Sequence, residues 1–224
     1  MIGDCLEILP TLTESSVDLV IADLPFGTTQ NDWDTQIDLS KLWEGLRHVG
    51  HERTAYMFFA SGRFVFDVYA AQPKAYRYDL IWEKNKATGH LNANRMPMRS
   101  HESILVFYDK PPTYNPQKTE GANRTGWSRG SSGGAYGDTK RSEYAGGSLR
   151  HPKSVIDFDV VNNDSPLRTH PSQKPQALIE WMIRSFSNEG DCVLDPTAGS
   201  FVTERAAETT GRRSICIDRR VEFM

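Results

Sequence analysis

The sequence predicts a doubly wound, mostly parallel α/β sheet that carries a basic, glycine-rich insertion. Short apolar runs alternate with segments of helical spacing, and three of these runs end in an aspartate. Strands that alternate with helices lie parallel, because each helix returns the chain to the same edge of the sheet. With 224 residues, 38% of them hydrophobic, the chain can form one such domain with an insertion.

The first region runs to residue 109, and its elements follow from apolar spacing. Apolar runs predict strands over residues 17–22, 55–59, 78–83 and 102–108. Helical spacing predicts helices over residues 38–49 and 64–71, and Pro73 lies just beyond the second. The first strand is followed at once by Asp23, so a carboxylate is expected at the edge of the sheet.

The third region begins at residue 170 and returns to the same alternation. A helix is predicted over residues 176–186 behind Pro175, which suits a first helical turn. A strand over residues 192–195 and a helix over residues 201–210 follow, and Gly211 suits the position after the helix end. A last strand is predicted over residues 214–218.

The second region, residues 110–169, differs in composition and reads as an insertion. Eight of the 17 glycines fall between Thr113 and Arg150, and apolar residues are sparse. The chain has a net charge of −3, yet the segment from Lys84 to Lys153 holds 12 Lys and Arg against five Asp and Glu. Phosphate neutralisation needs such a local basic patch. A solvated basic loop would have the same composition, but Trp127 among arginines favours a loop that orders on a partner.

The cysteines and the apolar pattern indicate the cellular compartment in which the protein is expected. Cys5, Cys192 and Cys216 are odd in number and far apart, which fits neither a disulfide framework nor a zinc site. A reducing cytoplasm and no metal are therefore expected. No run of about 18 apolar residues exists, so no membrane span is expected, and the first residues do not resemble a secretory signal.

The turn after the strand at 192–195 has the composition of a cofactor loop. A carboxylate ends the strand, small residues follow, and a helix begins, over Asp195, Pro196, Thr197, Ala198, Gly199 and Ser200. Ligands of open α/β sheets bind at this edge, and Asp218 at the end of the next strand can accept hydrogen bonds from ribose hydroxyls. The turn lacks the G-x-G-x-x-G order, which disfavours a dinucleotide cofactor.

The second candidate site is the run Asp23, Leu24, Pro25 and Phe26. An aromatic amine is a weak nucleophile, because its lone pair is delocalised into the ring. A carboxylate and a backbone carbonyl held by a proline can accept its hydrogen bonds, and the neighbouring aromatic ring can stack on a base that has left the duplex. Alone, such a tetrapeptide is usually only a turn.

Together these segments resemble the DNA amino-methyltransferases with a D-P-P-Y-type tetrad, which modify adenine-N6 or cytosine-N4. The run Gly3-Asp4-Cys5 resembles the G-D-C segment of that family, and residues 170–175 resemble its H-P-x-Q-K-P segment. Residues 195–200 resemble its D-P-x-x-G-S loop. The order of tetrad, basic segment and cofactor loop resembles the β arrangement of the family, in which the middle insertion recognises the target.

The resemblance implies a Rossmann-like methyltransferase sheet, S-adenosyl-L-methionine as cofactor, and double-stranded DNA as partner. It implies a catalytic half at residues 1–109, a target-recognition insertion at 110–169 and a cofactor-binding half at 170–224. Catalytic roles are implied for Asp23, Leu24, Pro25 and Phe26. Cofactor contacts are implied for Asp4, Cys5, Lys174, residues 195–200 and Asp218. DNA contacts are expected from Arg124, Arg129, Lys140 and Arg141.

Several alternatives stay open at this level. Lys174 could contact the cofactor or a phosphate, or pair with a neighbouring carboxylate, and Asp4 could be a turn residue. An opening Asp favours adenine, whereas cytosine-N4 members usually have Ser there. An inactive DNA-binding homologue and an enzyme of RNA or nucleosides are the rival functions. A homodimer is suspected, and a bacterial or phage restriction-modification setting is expected.

Three departures from the family pattern stand out. Leu24 replaces a proline, Phe26 replaces a tyrosine, and Phe201 stands where a glycine is common, which predicts less room near the cofactor. Residues 219–224 resemble a helix cut short, so trimmed or disordered ends are expected.

Overall fold

A computed structural model describes residues 1–27, 34–122, 126–128, 131–134, 137–139, 142–144, 147–162 and 173–219. The chain divides into two compact units. The larger unit is Met1–Asn115 with Ser154–Met224, and the smaller is Pro116–Lys153. The division at residues 110 and 169, which was drawn from composition and role, stays a prediction.

The strands in chain order are β1 (Val17–Ala22), β2 (Gly50–Ala60), β3 (Tyr76–Thr88), β4 (Arg99–Phe107), β5 (Thr119–Glu120), β6 (Gly126–Ser128), β7 (Ser131–Gly134), β8 (Gly137–Thr139), β9 (Ser142–Tyr144), β10 (Leu149–Arg150), β11 (Val155–Asp157), β12 (Cys192–Asp195) and β13 (Arg213–Cys216). The helices are α1 (Cys5–Ile8), α2 (Leu39–Val49), α3 (Phe64–Ala71), α4 (Gln176–Phe186) and α5 (Val202–Thr209).

The larger unit is built on a seven-stranded sheet in the order β11-β3-β4-β2-β1-β12-β13. Strand β4 runs antiparallel to β2 and β3, and the remaining pairs are parallel. This confirms the predicted doubly wound, mostly parallel α/β sheet. The edge strand β11 was not predicted, because its three residues are too short to show a period.

The two faces of the sheet are covered by different helices. Helices α2 and α3 pack in one apolar cluster, and helices α4 and α5 pack in another. Within β1, Val20 and Ala22 face the first cluster while Leu19 and Ile21 face the second. A parallel strand buried on both faces is therefore apolar along its whole length, which is the pattern that predicted it.

Helix limits agree closely with the sequence, whereas strands β2, β3 and β4 are longer than predicted. Helix α2 begins where the Asp38 carboxylate accepts hydrogen bonds from the Ser40 and Lys41 N–H groups, a standard N-cap. Strand β3 continues to Thr88, although residues 85–88 are exposed and three of the four are polar. Apolar spacing cannot predict such an extension, because the pairing with β4 rather than burial maintains it.

The described residues of the smaller unit form three nested antiparallel pairs, β5 with β10, β6 with β9, and β7 with β8. Short strands therefore occur where a loop was predicted. The four predicted DNA contacts, Arg124, Arg129, Lys140 and Arg141, lie outside the described residues.

The three cysteines and the lengths of the helices bear on the expected disulfides and membrane spans. Cys5, Cys192 and Cys216 are free and buried. They therefore behave as small apolar side chains, as the sequence suggested. Across the described ranges, no helix combines the length and apolar content needed to cross a membrane.

Candidate active site

The two predicted loops meet at one edge of the sheet. Strands β1 and β12 are parallel neighbours, with Leu19 paired with Val193 and Val20 with Leu194. The chain leaves both strands at their carboxyl ends, so the run after β1 and the turn after β12 lie side by side. The Thr197 hydroxyl donates a hydrogen bond to the Asp23 carbonyl oxygen at 3.2 Å, which joins the two loops directly.

A cavity of about 360 Å³ opens between these loops. Most of the residues predicted for the site line it, namely Cys5, Asp23, Leu24, Pro25, Phe26, Lys174, Asp195, Pro196, Thr197, Ala198, Gly199, Ser200 and Asp218. The sheet therefore brings together segments that are far apart in the sequence.

Asp4 is absent from this lining, although its neighbours Gly3 and Cys5 contribute. The Asp4 carboxylate accepts a hydrogen bond from the Leu6 N–H at 2.9 Å and caps helix α1. It also pairs with Arg219, which does line the cavity. The geometry of Asp4 is that of a turn and cap residue, one of the two alternatives that the sequence left open.

The turn after β12 is held by its own carboxylates. Asp195 accepts hydrogen bonds from the Thr197 N–H at 3.1 Å and from the Thr203 hydroxyl at 2.6 Å. Asp218 accepts one from the Gly199 N–H at 2.8 Å. Gly199 has a φ of +50°, in the left-handed region that glycine adopts without strain. These bonds fix the turn in one shape without a ligand.

Burial dominates the electrostatics of Asp195. Loss of hydration raises its pKa from 3.8 to about 7, although the hydrogen bonds from Thr203 and Thr197 act in the opposite direction. The Asp195 carboxyl therefore gains and loses its proton near neutral pH.

The expectation for Phe201 is wrong. This residue does not line the cavity, and its side chain packs instead in a small cluster with Ala198 and Cys216. Its φ of +54° is unusual for a bulky residue. The left-handed backbone turns the ring into the protein, so the predicted narrowing near the cofactor does not occur.

Lys174 lies at the centre of a buried chain of alternating charges. Its Nζ is 2.6 Å from Asp23 Oδ2 and 3.4 Å from Glu102 Oε2. The second oxygen of Glu102 is 3.0 Å from Lys84 Nζ. Both lysines are buried, with 8% of their surface exposed, whereas the Asp23 side chain remains 27% exposed. Of the two alternatives for Lys174, the structure shows the pairing with carboxylates.

Burial and pairing act in opposite directions on these groups. Burial raises the pKa of Asp23, and Lys174 opposes the rise. Burial acts to lower the pKa of Lys174, but the nearby Asp23 and Glu102 carboxylates outweigh it and raise the value. Burial also acts against ionisation of Glu102, but the two lysines bring its pKa below the usual range. Lys174 is accordingly a fixed cation.

Sequence reasoning did not identify Glu102 or Phe59 as site residues, although both line the cavity. Glu102 is an acidic residue at the start of an apolar run, and its partner in the β3–β4 ladder is Trp82. A charge inside a strand-like run is a usable signal for a buried ion pair. Phe59 carries no such signal, and its ring centroid lies 5.0 Å from Lys174 Nζ.

Phe26 is half-buried and stacks on Phe64, with centroids 4.9 Å apart and an angle of 29° between the rings. The Asp34 carboxylate accepts a hydrogen bond from the N–H of Gly27, the residue after Phe26, at 2.7 Å. Gln36 donates to the Phe26 carbonyl at 3.1 Å. The tetrad is therefore held by residues that follow it in the chain, and it presents an aromatic ring beside a carboxylate.

Comparison with known proteins places these features in one family. The chain matches the DNA methylase family over residues 17–224. It is 27% identical over 235 residues to the type II methyltransferase M.HpaI of Haemophilus parainfluenzae, covering 99% of this chain and 70% of the relative. It is 26% identical over 234 residues to the DNA adenine methyltransferase YhdJ of Escherichia coli strain K12, covering 99% and 78%.

Two solved structures share the fold. A complex of M1.HpyAVI with SAM superposes with a TM-score of 0.68 at 21% identity, over 99% of this chain and 93% of that one. The cytosine-N4-specific PvuII DNA methyltransferase superposes with a TM-score of 0.70 at 16% identity, over 99% and 82%. The sheet is thus the Rossmann-like methyltransferase sheet that the sequence predicted. Because the family match spans nearly the whole chain and includes both loops of the cavity, the protein belongs to the N6/N4 family of DNA methylases.

Proposed function

We propose that this DNA methyltransferase transfers a methyl group from S-adenosyl-L-methionine to the 6-amino group of an adenine flipped out of duplex DNA. The observation that carries the proposal is the Asp23 carboxylate, partly exposed in a cavity that the adjacent turn of residues 195–200 also lines. The Thr197 hydroxyl bond to the Asp23 carbonyl ties the two loops together.

The cavity suits a nucleoside cofactor. Its volume of about 360 Å³ is within the range of roughly 300–1,000 Å³ for small-molecule sites. The residues that would hold S-adenosylmethionine are the turn at 195–200, with Asp218 beside it for the ribose and Cys5 nearby. When bound, this cofactor supplies an electrophilic methyl group on sulfur.

The target amine would be held by the tetrad. Asp23 and the Leu24 carbonyl accept hydrogen bonds from the amino group, which draws its lone pair out of the ring and toward the methyl group. Phe26, supported by Phe64, stacks on the base. Transfer would form the nitrogen–carbon bond and break the sulfur–methyl bond, with the electron pair staying on sulfur. The methylated amine would then pass its extra proton to the Asp23 carboxylate, which would release it to solvent. Alignment of the reacting atoms supplies much of the acceleration.

The cysteines support direct transfer over a covalent route. Burial raises the pKa of Cys5 to about 11, and it also raises the pKa of Cys192 and of Cys216. A thiolate is the nucleophile that methylation at a ring carbon of cytosine requires. Neutral, buried thiols do not provide this thiolate, whereas methylation of an exocyclic amine needs no protein nucleophile.

Adenine is proposed over cytosine because the tetrad opens with Asp23. The relative YhdJ carries adenine in its name, whereas the PvuII enzyme is cytosine-N4-specific. Either amine meets the geometric demands of the cavity, so the base is decided by experiment.

The test is transfer of labelled methyl groups from S-adenosylmethionine to unmethylated genomic DNA, followed by digestion to nucleosides. We expect label in N6-methyladenine and its loss in Asp23→Asn, which preserves size but removes the charge. Asp67→Asn on helix α3, outside the cavity lining, is the matched control.

Each other result has a distinct meaning. Label in N4-methylcytosine would overturn the base assignment and retain the mechanism. No label in DNA, with the cofactor still bound, would favour the inactive homologue. Label in RNA alone would assign the activity to a different substrate. The suspected homodimer and the roles of Arg124, Arg129, Lys140 and Arg141 stay predictions.

A further inference from the structure

A hairpin formed by β3 and β4 extends from the sheet on the side of the cavity. The edge strand β11 pairs with β3 only as far as Glu83, whereas the β3–β4 pairing continues to Thr88 with Arg99. The register shifts between these two points, so that β4 advances by two residues while β3 advances by five. At about 3.3 Å per residue of β4, the pairing carries the hairpin about 7 Å past the end of β11. Because β3 runs in the same direction as β1, its far end lies at the edge where the cavity opens.

The hairpin has a defined shape. At its base the Lys84 ammonium bonds to Glu102, and the Arg99 guanidinium donates to the Ser61 hydroxyl at 2.9 Å. At its tip the Arg95 N–H donates to the Asn92 carbonyl at 2.8 Å within a tight turn. These bonds hold the base and the backbone turn of the hairpin at the cavity edge.

The exposed part of the hairpin is cationic. Residues 84–101 include four Lys and Arg and no Asp or Glu, but Lys84 is buried and paired with Glu102. Lys86 and Arg95 are exposed beyond the end of β11. Lys86 donates to Asn162 at 2.6 Å, and two further ammonium hydrogens remain for other acceptors. Exposed cations beside the cavity are complementary to a polyanion that brings a base to it.

The tip also exposes large apolar side chains. Leu91 is 87% exposed, Met96 54% and Met98 42%. Exposed apolar side chains that cluster in this way, rather than singly, indicate a contact surface. Asn92 and Asn94 lie between them and can hydrogen-bond to base edges. Side chains of Leu, Met, Asn and Arg are the set with which proteins enter a DNA groove, because the apolar groups pack against the bases while the cation meets the backbone.

We propose that the hairpin of residues 84–101 is a DNA-contacting surface in addition to the glycine-rich insertion. Lys86 and Arg95 contact phosphates, and Leu91 packs in a groove of the duplex next to the base that enters the cavity. This assignment rests on the proposed function, because the cavity edge faces DNA only in an enzyme that takes a base from a duplex.

The test is binding of an arbitrary 30-base-pair duplex, measured by fluorescence anisotropy over a range of salt concentrations. Arg95→Gln is compared with Lys74→Gln, which removes the same charge from the opposite end of β3. Leu91→Ser is compared with Val155→Ser, an exposed apolar residue at the opposite end of β11. All four positions are exposed, so unchanged melting temperatures are expected and verify the fold.

We expect two separable effects. Arg95→Gln should reduce the slope of log affinity against log salt by about 0.9, the value for one B-DNA phosphate contact. Leu91→Ser should weaken binding at every salt concentration and leave the slope unchanged. Both controls should bind like the wild-type chain.

The contrary results are equally distinct. If the wild-type chain methylates and binds duplex DNA but Arg95→Gln and Leu91→Ser match their controls, the hairpin assignment fails while the proposed function stands. If Leu91→Ser instead changes the sedimentation of the free protein, the tip joins two copies of the chain and the DNA assignment is overturned. If the wild-type chain neither binds nor methylates duplex DNA, the proposed function itself fails.

Discussion

Replacement of Lys174 by methionine tests the charge network most directly. The ammonium lies between Asp23 and Glu102, at 2.6 Å and 3.4 Å. Methionine has a similar length and suits an apolar surrounding that includes Phe59. Glu102 keeps its second partner, Lys84, at 3.0 Å. Asp23 has no other ion pair among those seen in the described residues, so the change falls mainly on that carboxylate.

The magnitude follows from the burial of the pair. Removal of one partner from a buried ion pair costs about 3–5 kcal/mol, because the remaining charge is left desolvated. For a chain of this size that corresponds to a fall of roughly 6–20 °C in Tm. Asp23 can limit the loss by taking up a proton, since burial already raises its pKa. The lower half of this range is therefore expected near neutral pH.

Activity and stability should then change in opposite directions with pH. Without Lys174 the pKa of Asp23 rises further, so at a given pH more of the carboxyl is protonated and activity falls. Activity returns as the pH rises through the new pKa. A carboxyl whose folded pKa is raised contributes stability that is present at low pH and lost as pH increases, so the variant becomes less stable over the same interval.

The assay is the pH profile of kcat/KM for methyl transfer, together with urea unfolding across the same pH range. Lys84→Met is the control, because Lys84 is equally buried and also pairs with Glu102 but does not contact Asp23. It should lose stability without the shift of the activity profile. An unshifted activity profile in Lys174→Met would refute the view that Lys174 sets the ionisation of Asp23.

Two further predictions concern the turn after β12. Burial raises the pKa of Asp195 to about 7, so the stability that this proton contributes is present below pH 4 and is lost as pH rises to about 7. Asp195→Asn should weaken the dependence of the urea unfolding midpoint on pH between pH 5 and 8. An unchanged dependence would show that Asp195 is already ionised in this range. Phe201→Gly removes a left-handed strain of about 1–2 kcal/mol but also a buried ring worth about 3–5 kcal/mol. Net destabilisation by roughly 1–4 kcal/mol is therefore expected in thermal melts. A more stable variant would show that strain outweighs packing.

Local sequence signals determined the fold class and the two loops of the site. The apolar run of β1 is continuous because the strand is buried on both faces, and this property is visible without any partner. Asp23 and Asp195 could be located because each follows or ends such a run, where a parallel sheet presents its ligand-binding edge. The helix of residues 176–186 was predictable to its last residue, because its apolar spacing and its limiting residues are all local.

Tertiary structure alone decided which charges meet. Lys174 and Asp23 are separated by 151 positions, and their contact depends on the order of strands in the sheet. Tertiary packing also buries the Asp195 carboxyl, which raises its pKa, and places the Phe201 ring in a cluster with Ala198 and Cys216. Periodicity reports which face of an element is apolar, but pairing energies and desolvation depend on neighbours that are distant in the chain. The sequence therefore predicted the loops of the site, and the packed sheet determined that Asp23 is held by Lys174 and Lys174 by Glu102.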